Sequence, residues 1–195
     1  MTELASLLHD LQHGRGPRRR RAARALGGYP DREVVTALRE ALRHDPWPVV
    51  QMWAANSLGK IGDPAAVPAL CEFLGGERSE FWDLVAADAV TEALRSIGAA
   101  HAIPALLELL RGDHRVACKA AEVLRCLGAD SAEVESTAEE LLASLEGAEG
   151  YGEYLRHLLG VLLRSMRAGR ANLPVPAGEY SGAASLPVPS GPEAP

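Results

Sequence analysis

Hydrophobic positions recur along this chain at intervals of roughly thirty residues, a period typical of stacked structural repeats. The anchors of the repeat are four leucines, Leu26, Leu58, Leu94 and Leu124, separated by 32, 36 and 30 residues. Four residues beyond each anchor stands a residue that readily ends a helix, in order Pro30, Gly62, Gly98 and Gly128. The pattern therefore predicts four similar supersecondary units.

Within each unit the spacing predicts two helices. Helix A ends at the Gly or Pro, and helix B follows with apolar residues at i, i+3 and i+7, as in Val67, Leu70 and Leu74. Pro68 and Pro104 are expected in the first turn of helix B. The backbone N–H that proline lacks would have no helical acceptor there. One unit cannot bury its own stripe, so stacked units should form a right-handed α-solenoid.

Both ends of the repeat array depart from the pattern. The fourth unit matches only after a one-residue shift, and helices are predicted over residues 3–13 and 150–167 as terminal caps. Residues 1–167 should form the solenoid, and the Pro, Gly, Ala and Ser-rich residues 168–195 a disordered tail. Within the tail, Leu173–Pro176 recurs as Leu186–Pro189, a duplication that fits either tandem linear motifs or low-complexity drift.

Composition supports an all-α fold of about four helix pairs plus capping helices. Alanine occurs 33 times and leucine 28 times, whereas valine, isoleucine and threonine together occur 20 times. Helices therefore have their preferred residues and strands do not. No apolar stretch approaches the length of about 20 residues that a membrane-spanning helix needs, so no membrane span is expected.

Charge and cysteine usage narrow the function classes. The net charge of −6 makes a nucleic-acid partner an unfavoured prediction, because such binding depends on basic residues. The run Arg18–Arg21 could hold phosphate or an anionic lipid, but a solvated or internally paired helix end is the favoured interpretation. Three cysteines without a C-x-x-C pair fit a reducing compartment and predict a cytoplasmic protein.

The units resemble HEAT-type repeats, specifically the short class named after phycobilisome lyases. The resemblance is closest over residues 45–70, including Ala54-Ala55-Asn56-Ser57-Leu58-Gly59-Lys60-Ile61-Gly62-Asp63-Pro64, and extends more weakly over residues 17–145. It implies an α-α superhelix, but the family includes scaffolds, regulators, bilin lyases and hydroxylases. The His-Glu pairs of the family's di-iron hydroxylases are absent from this sequence.

One column of the repeat predicts a protein-binding ridge. The resemblance implies that B helices line the concave side of the stack. The equivalent positions on the four B helices are Glu40, Glu72, Glu108 and, after the shift, Glu139. Neighbouring helices lie about 8–10 Å apart, so these carboxylates would repel one another unless a basic partner covered them. The alternative interpretation is a solvated row of good helix formers.

The longest spacing between repeats supplies a second candidate, Phe81 and Trp82. Large aromatic residues beside acids can anchor a protein interface, although they more often pack within a loop. Cys118 and Cys126 are expected to pack as small buried residues. His9 and His13 share one helix face without a third ligand nearby, and no catalytic or metal motif is evident, so no cofactor is predicted.

The sequence therefore predicts a non-catalytic scaffold or adaptor. It would bind a protein through the acidic face or the aromatic segment, and the glutamates indicate a basic partner. The alternative, which the family resemblance implies, is a bilin-lyase-like protein that holds a tetrapyrrole or assists its attachment. The identity of the partner and the oligomeric state do not follow from the sequence.

Overall fold

The computed structural model describes residues 2–76 and 79–170, and every regular element within those ranges is helical. A 3-10 turn at Pro64–Ala66 precedes the fifth α-helix. The α-helices are α1 (Glu3–His13), α2 (Gly16–Leu26), α3 (Arg32–His44), α4 (Pro48–Ile61), α5 (Val67–Gly75), α6 (Glu80–Ile97), α7 (Ala99–Leu110), α8 (His114–Leu127), α9 (Ala132–Ser144) and α10 (Tyr151–Arg170).

The helices form two layers that follow the repeat. The A helices α2, α4, α6 and α8 pack in that order, and α10 continues their layer. The B helices α3, α5, α7 and α9 pack in a second layer, and α1 covers α2 and α3 at the other end. This arrangement confirms the predicted all-α solenoid with capping helices at both ends.

One continuous hydrophobic core runs between the layers. All four anchor leucines have no exposed surface, and the B-helix leucines such as Leu38, Leu70 and Leu106 are equally buried. Burial of each such side chain stabilises the fold by roughly 1.5–3 kcal/mol. The interval between the anchor leucines therefore sets the register of the stack.

Glycines with a positive φ end α4, α6 and α8, as predicted, whereas α2 ends at Leu26 with Gly27 as its C-cap, before the predicted stop at Pro30. Gly62, Gly98 and Gly128 have φ values of +75°, +115° and +62°, which residues with a Cβ rarely adopt. Pro68 lies in the first turn of α5, as expected. The expectation for Pro104 is wrong: Gly98 both ends α6 and caps α7, so α7 begins at Ala99 and Pro104 lies within it.

Small residues let adjacent A helices approach closely. A Cβ on Gly59 in α4 would lie 2.5 Å from the Cα of Ala93 in α6, which leaves no space for a side chain. Two residues earlier in α4, the buried hydroxyl of Ser57 donates a 2.7 Å hydrogen bond to the carbonyl of Ala23 in α2. The small-residue character of helix A thus sets the helix spacing.

The C-terminal helix α10 continues to Arg170, three residues past the predicted boundary at 167. The two tail copies, Leu173–Pro176 and Leu186–Pro189, lie outside the described residues, and so does most of the predicted tail.

Candidate interaction surface

Exposed apolar side chains concentrate at one edge of the solenoid. Among the described residues, the large hydrophobic side chains with extensive exposure are Trp47 (49%), Phe81 (66%), Leu84 (65%) and Tyr151 (46%). They stand at or just inside the N-terminal ends of α4, α6 and α10. We call these four residues the apolar edge.

The N-terminal ends of consecutive A helices are neighbours, as contacts between them show. A Cβ on Gly16 would lie 2.6 Å from the Trp47 ring, which brings the starts of α2 and α4 together. The Cys118 thiol donates a 3.6 Å hydrogen bond to the Tyr151 carbonyl, which does the same for α8 and α10. The apolar edge is therefore one side of the molecule.

The predicted aromatic pair divides into a surface residue and a packing residue. Trp82 is half-buried beside Pro48, Met52 and Phe73, so it helps to join α6 to α4 and α5. The Phe81 ring lies edge-on to Trp82 with ring centroids 5.2 Å apart and faces solvent. Sequence reasoning missed Leu84, although its i+3 spacing from Phe81 places both side chains on one face.

The four glutamates of the predicted ridge are exposed, but they do not form a bare acidic surface. Arg43 lies 2.7 Å from Glu72 and 3.8 Å from Glu40, so it bridges the first two. The other two glutamates have arginine partners as well: Glu108 lies 3.2 Å from Arg111, and Glu139 lies 2.6 Å from Arg167. These pairs remove the repulsion that the sequence pattern indicated.

An open groove of about 550 Å³ lies at the N-terminal end of the stack, between α1 and α3. Its lining includes both apolar and polar residues, among them Leu8, Leu11, Ala41, Glu40 and His44.

A bidentate ion pair forms the base of this groove. Arg19 donates to both carboxylate oxygens of Asp45, at 2.6 and 3.0 Å, and this bonding raises the arginine pKa. The Asp45 carboxylate also accepts a 2.9 Å bond from the Trp47 backbone N–H. The pair therefore fixes α2 against the turn between α3 and α4.

Two family models match the repeats that the structure shows. Residues 4–90 match the model described as HEAT repeats, and residues 86–112 match the PBS lyase HEAT-like repeat. Together these matches cover more than half of the chain. This chain belongs to the HEAT-repeat family.

The HEAT-repeat chain is similar to a reductase and to a lyase complex. It is 39% identical over 67 residues to epoxyqueuosine reductase from Bacillus subtilis (strain 168), covering 34% of this chain and 17% of that protein. The chain thus spans about a sixth of that relative. It is also similar to the solved complex of CpcE and CpcF of phycocyanin lyase from Nostoc sp. PCC7120, at 30% identity with a TM-score of 0.45, covering 86% of this chain and 67% of that one.

The cysteines of the HEAT-repeat chain fall into two classes. Burial raises the pKa of Cys71 to about 11 and, together with the Asp113 charge, that of Cys118 to about 12. Cys126 is exposed, so the expectation that it packs in the core beside Cys118 is wrong. Eight residues advance a helix by about two turns plus 80°, which turns Cys126 away from the buried face.

The two histidines of α1 lie close together. The ring centroids of His9 and His13 are 4.9 Å apart, and the ring planes are tilted by 53°. The described residues contain no cluster of three or more potential metal ligands. Within the same part of the chain, none of the helices combines the length and the apolar character required to cross a bilayer.

Proposed function

We propose that this HEAT-repeat chain acts by binding a protein partner through its apolar edge, as a scaffold or adaptor without chemistry of its own. The observation that supports this function is the exposure of Phe81 and Leu84, two-thirds of each side chain, on adjacent turns of one helix. A partner that covered both would remove this apolar surface from water.

The surroundings of the edge favour a partner with an apolar centre and basic flanks. Asp88 is exposed on α6 one turn beyond Leu84, so Phe81, Leu84 and Asp88 form one stripe at i, i+3 and i+7. Aromatic and leucine anchors ringed by polar groups are typical of interface centres. Trp82 would hold the Phe81 ring in place before the partner arrives.

Site-specific crosslinking in source cells tests the proposed edge. A photoreactive amino acid at Leu84 should give one adduct of discrete mass, whereas the same group at exposed Arg164 on α10 should not. Substitution of Phe81 by Ser in the Leu84-labelled chain should remove the adduct without a change in helix content. Equal labelling at both positions, or no adduct at Leu84, would reject the edge as a binding site.

A second candidate function is that of a bilin-lyase-like protein that holds a tetrapyrrole or assists its attachment. The match of residues 86–112 to lyase-type repeats supports this candidate better than it supports a pure adaptor. The two functions are compatible, since a protein that assists attachment must also contact the acceptor protein.

The groove between α1 and α3 is the place where such a pigment would fit. Its volume of about 550 Å³ falls within the range of small-molecule sites. Carboxylates such as Glu40 could accept bonds from pyrrole N–H groups, and His44 lies in position to meet an acidic substituent. Leu8 and Leu11 supply the apolar wall that a planar pigment requires.

Co-expression with a bilin and its acceptor separates the two candidates. If the groove holds pigment, visible absorbance should co-purify with the native chain and disappear in Ala41→Trp, which narrows the groove. The matched variant Ala100→Trp, at an exposed position on α7, should keep the absorbance. A native chain that purifies without colour would end the tetrapyrrole candidate and leave the protein-binding proposal intact.

A further inference from the structure

The two ends of the chain's solenoid have opposite charge. Residues 11–30 contain six arginines and no acidic residue, whereas residues 127–155 contain eight acidic residues and no lysine or arginine. The net charge of −6 conceals this separation. The first segment includes α2 and the second includes α9, which lie in the first and last repeats of the stack.

Four arginines at the start of α2 form a basic patch without an acidic partner among the residues that the structure describes. We define the basic patch as Arg15, Arg18, Arg20 and Arg21, all exposed and, within residues 2–76 and 79–170, in no ion pair. Arg19 differs because it turns inward to Asp45. Six arginines outside this segment have acidic partners: Arg43, Arg95, Arg111, Arg115, Arg125 and Arg167.

The last repeat presents the complementary surface. Arg167 from α10 pairs with Glu135 and Glu139 on one side of α9. We define the acidic patch as Glu133, Glu140, Glu146 and Glu149, which are exposed and have no ion pair in the part of the chain that the structure describes. Glu133 and Glu140 stand at i and i+7, so both side chains lie on one face of α9.

The two patches cannot neutralise each other within one molecule. The acidic patch lies on and just after α9, in the same repeat as α8. Three steps of helix packing separate α2 from α8 along the A layer, and each step is about 8–10 Å. The resulting distance of roughly 25–30 Å exceeds the Debye length of about 10 Å at 0.1 M salt. Each patch therefore remains available to another molecule.

We propose that the basic patch of one copy binds the acidic patch of a second copy. The two helices match in length, since α2 spans about 16 Å and α9 about 20 Å. Because the contact joins different surfaces of identical chains, it is heterologous and leaves one patch open at each end. Assembly then continues with concentration unless the arrangement closes into a ring.

The dependence of self-association on ionic strength distinguishes attraction between the patches from general repulsion between acidic molecules. At about 0.1 M salt the Debye length is about 10 Å, so repulsion between the net charges of two whole molecules is screened. Attraction between docked patches persists, because their charges lie closer together than that length. At about 1 M salt the Debye length falls to about 3 Å, so patch attraction is lost. Association through the apolar edge would instead persist or strengthen as salt rises.

Charge-swapped variants of the full chain provide the test. The first variant is Arg18→Glu with Arg21→Glu, and the second is Glu133→Arg with Glu140→Arg. The control is Arg32→Glu with Lys60→Glu, which changes net charge as the first variant does at exposed positions outside the patch. Sedimentation equilibrium at about 0.1 M and 1 M salt gives the mass-average mass of each chain.

The wild type and the control should associate with increasing concentration at the lower salt and be monomeric at the higher. Each swapped variant alone should associate about tenfold more weakly or not at all. A mixture of the two variants should recover association, because the native patches and the reversed patches both then find opposite charge. Recovery on mixing cannot result from misfolding of either variant.

Three results would overturn the proposal. One is a wild-type chain that stays monomeric up to its solubility limit at the lower salt. Another is association that the swaps leave unchanged. The last is an Arg18→Glu, Arg21→Glu chain that still self-associates but no longer binds a single-stranded oligonucleotide, which would assign the basic patch to a phosphate polyanion.

Discussion

The Nζ atom of Lys119 lies 2.8 Å from the Asp83 carboxylate, so a charge pair joins α8 to α6. Only 13% of the lysine side chain and 19% of the aspartate side chain are exposed. The ammonium group also donates to the carbonyls of Leu74 and Gly76, at 3.5 and 3.4 Å, at the C-terminal end of α5. Lys119 thus fixes the start of α6, on which Phe81 and Leu84 stand.

Removal of this ammonium group should destabilise the fold. Lys119→Met keeps the length of the side chain but leaves Asp83 with Arg115 at 3.4 Å as a weaker partner. We expect the free energy of unfolding to fall by about 2 kcal/mol, because the shielded Asp83 carboxylate and two backbone carbonyls lose the ammonium as a hydrogen-bond donor. Urea unfolding measures the change, with exposed Lys60→Met as a control expected to stay within about 0.5 kcal/mol.

Equal stability of the two lysine variants would show that water replaces the Lys119 contacts at no cost. In that case apolar packing, such as that of Trp82 beside Pro48 and Met52, would be enough to hold the start of α6.

The different surroundings of Gly59 and Gly160 predict opposite effects of their substitution by alanine. Gly59→Ala should lower stability by about 1–3 kcal/mol, because its Cβ would meet the backbone of Ala93 and force the helices apart. Gly160→Ala in α10 should raise stability by about 0.5–1 kcal/mol, because its Cβ meets only the movable end of Arg164 and alanine favours the helix. Thermal unfolding of both variants checks the signs.

Stabilisation by Gly59→Ala would mean that α4 and α6 can separate freely. The repeat spacing would then not depend on the small residues of helix A.

The sequence pattern predicted the fold because the core depends on periodic burial. Leu26, Leu58, Leu94 and Leu124 had to be buried if stacked units share a core, and they are. Pro104 was misplaced because the start of α7 depends on the single-residue link at Gly98, which the hydrophobic period does not specify. Helix boundaries are set by local turn geometry, and periodicity constrains them weakly.

The candidate surface was less predictable because exposure depends on which face of a helix meets its neighbours. Phe81 and Trp82 are adjacent in sequence, yet only Trp82 turns towards α4. The Glu108 and Arg111 pair could have been expected from i, i+3 spacing. The Glu139 and Arg167 pair could not, because it depends on how α10 docks against α9.

Thiol labelling should distinguish the three cysteines. The thiolate is the reactive form. Cys71 and Cys118 are buried, and their pKa values of about 11 and 12 keep both thiols protonated at neutral pH. Exposed Cys126 should therefore react alone in the native chain, although partial desolvation and, after it, the nearby Glu122 carboxylate raise its pKa and slow the reaction. A disulfide reagent in native buffer should report one thiol, and in denaturant three.

The pH dependence of labelling has a definite sign. Because the pKa of Cys126 lies above its ordinary value, its labelling rate should rise about tenfold per pH unit from pH 7 to 8. Cys126→Ser should leave no rapidly reacting thiol in the native chain. Rapid labelling of that variant would show that the core around Cys71 or Cys118 opens frequently.

Reversal of two ridge charges tests whether the glutamate row binds a partner. Glu72→Lys with Glu108→Lys places each new ammonium beside a former arginine partner, Arg43 or Arg111. Exposed pairs of this kind contribute about 0–1 kcal/mol each, so the chain should stay folded. If a basic partner uses the row, its affinity should fall more than tenfold, and binding assays on a partner identified through Leu84 crosslinking measure this loss.

The comparison with the apolar edge decides between the two predicted surfaces. Phe81→Ser with Leu84→Ser should abolish capture if the edge provides the centre of the interface, because the exposed apolar area is lost. The glutamates already have arginine partners, so a basic group of a partner protein must displace Arg43, Arg111 or Arg167. Its binding free energy is therefore smaller than it would be on unpaired glutamates. We therefore expect the double serine variant to lose more affinity than the double lysine variant. The reverse order would place the partner on the B-helix layer instead.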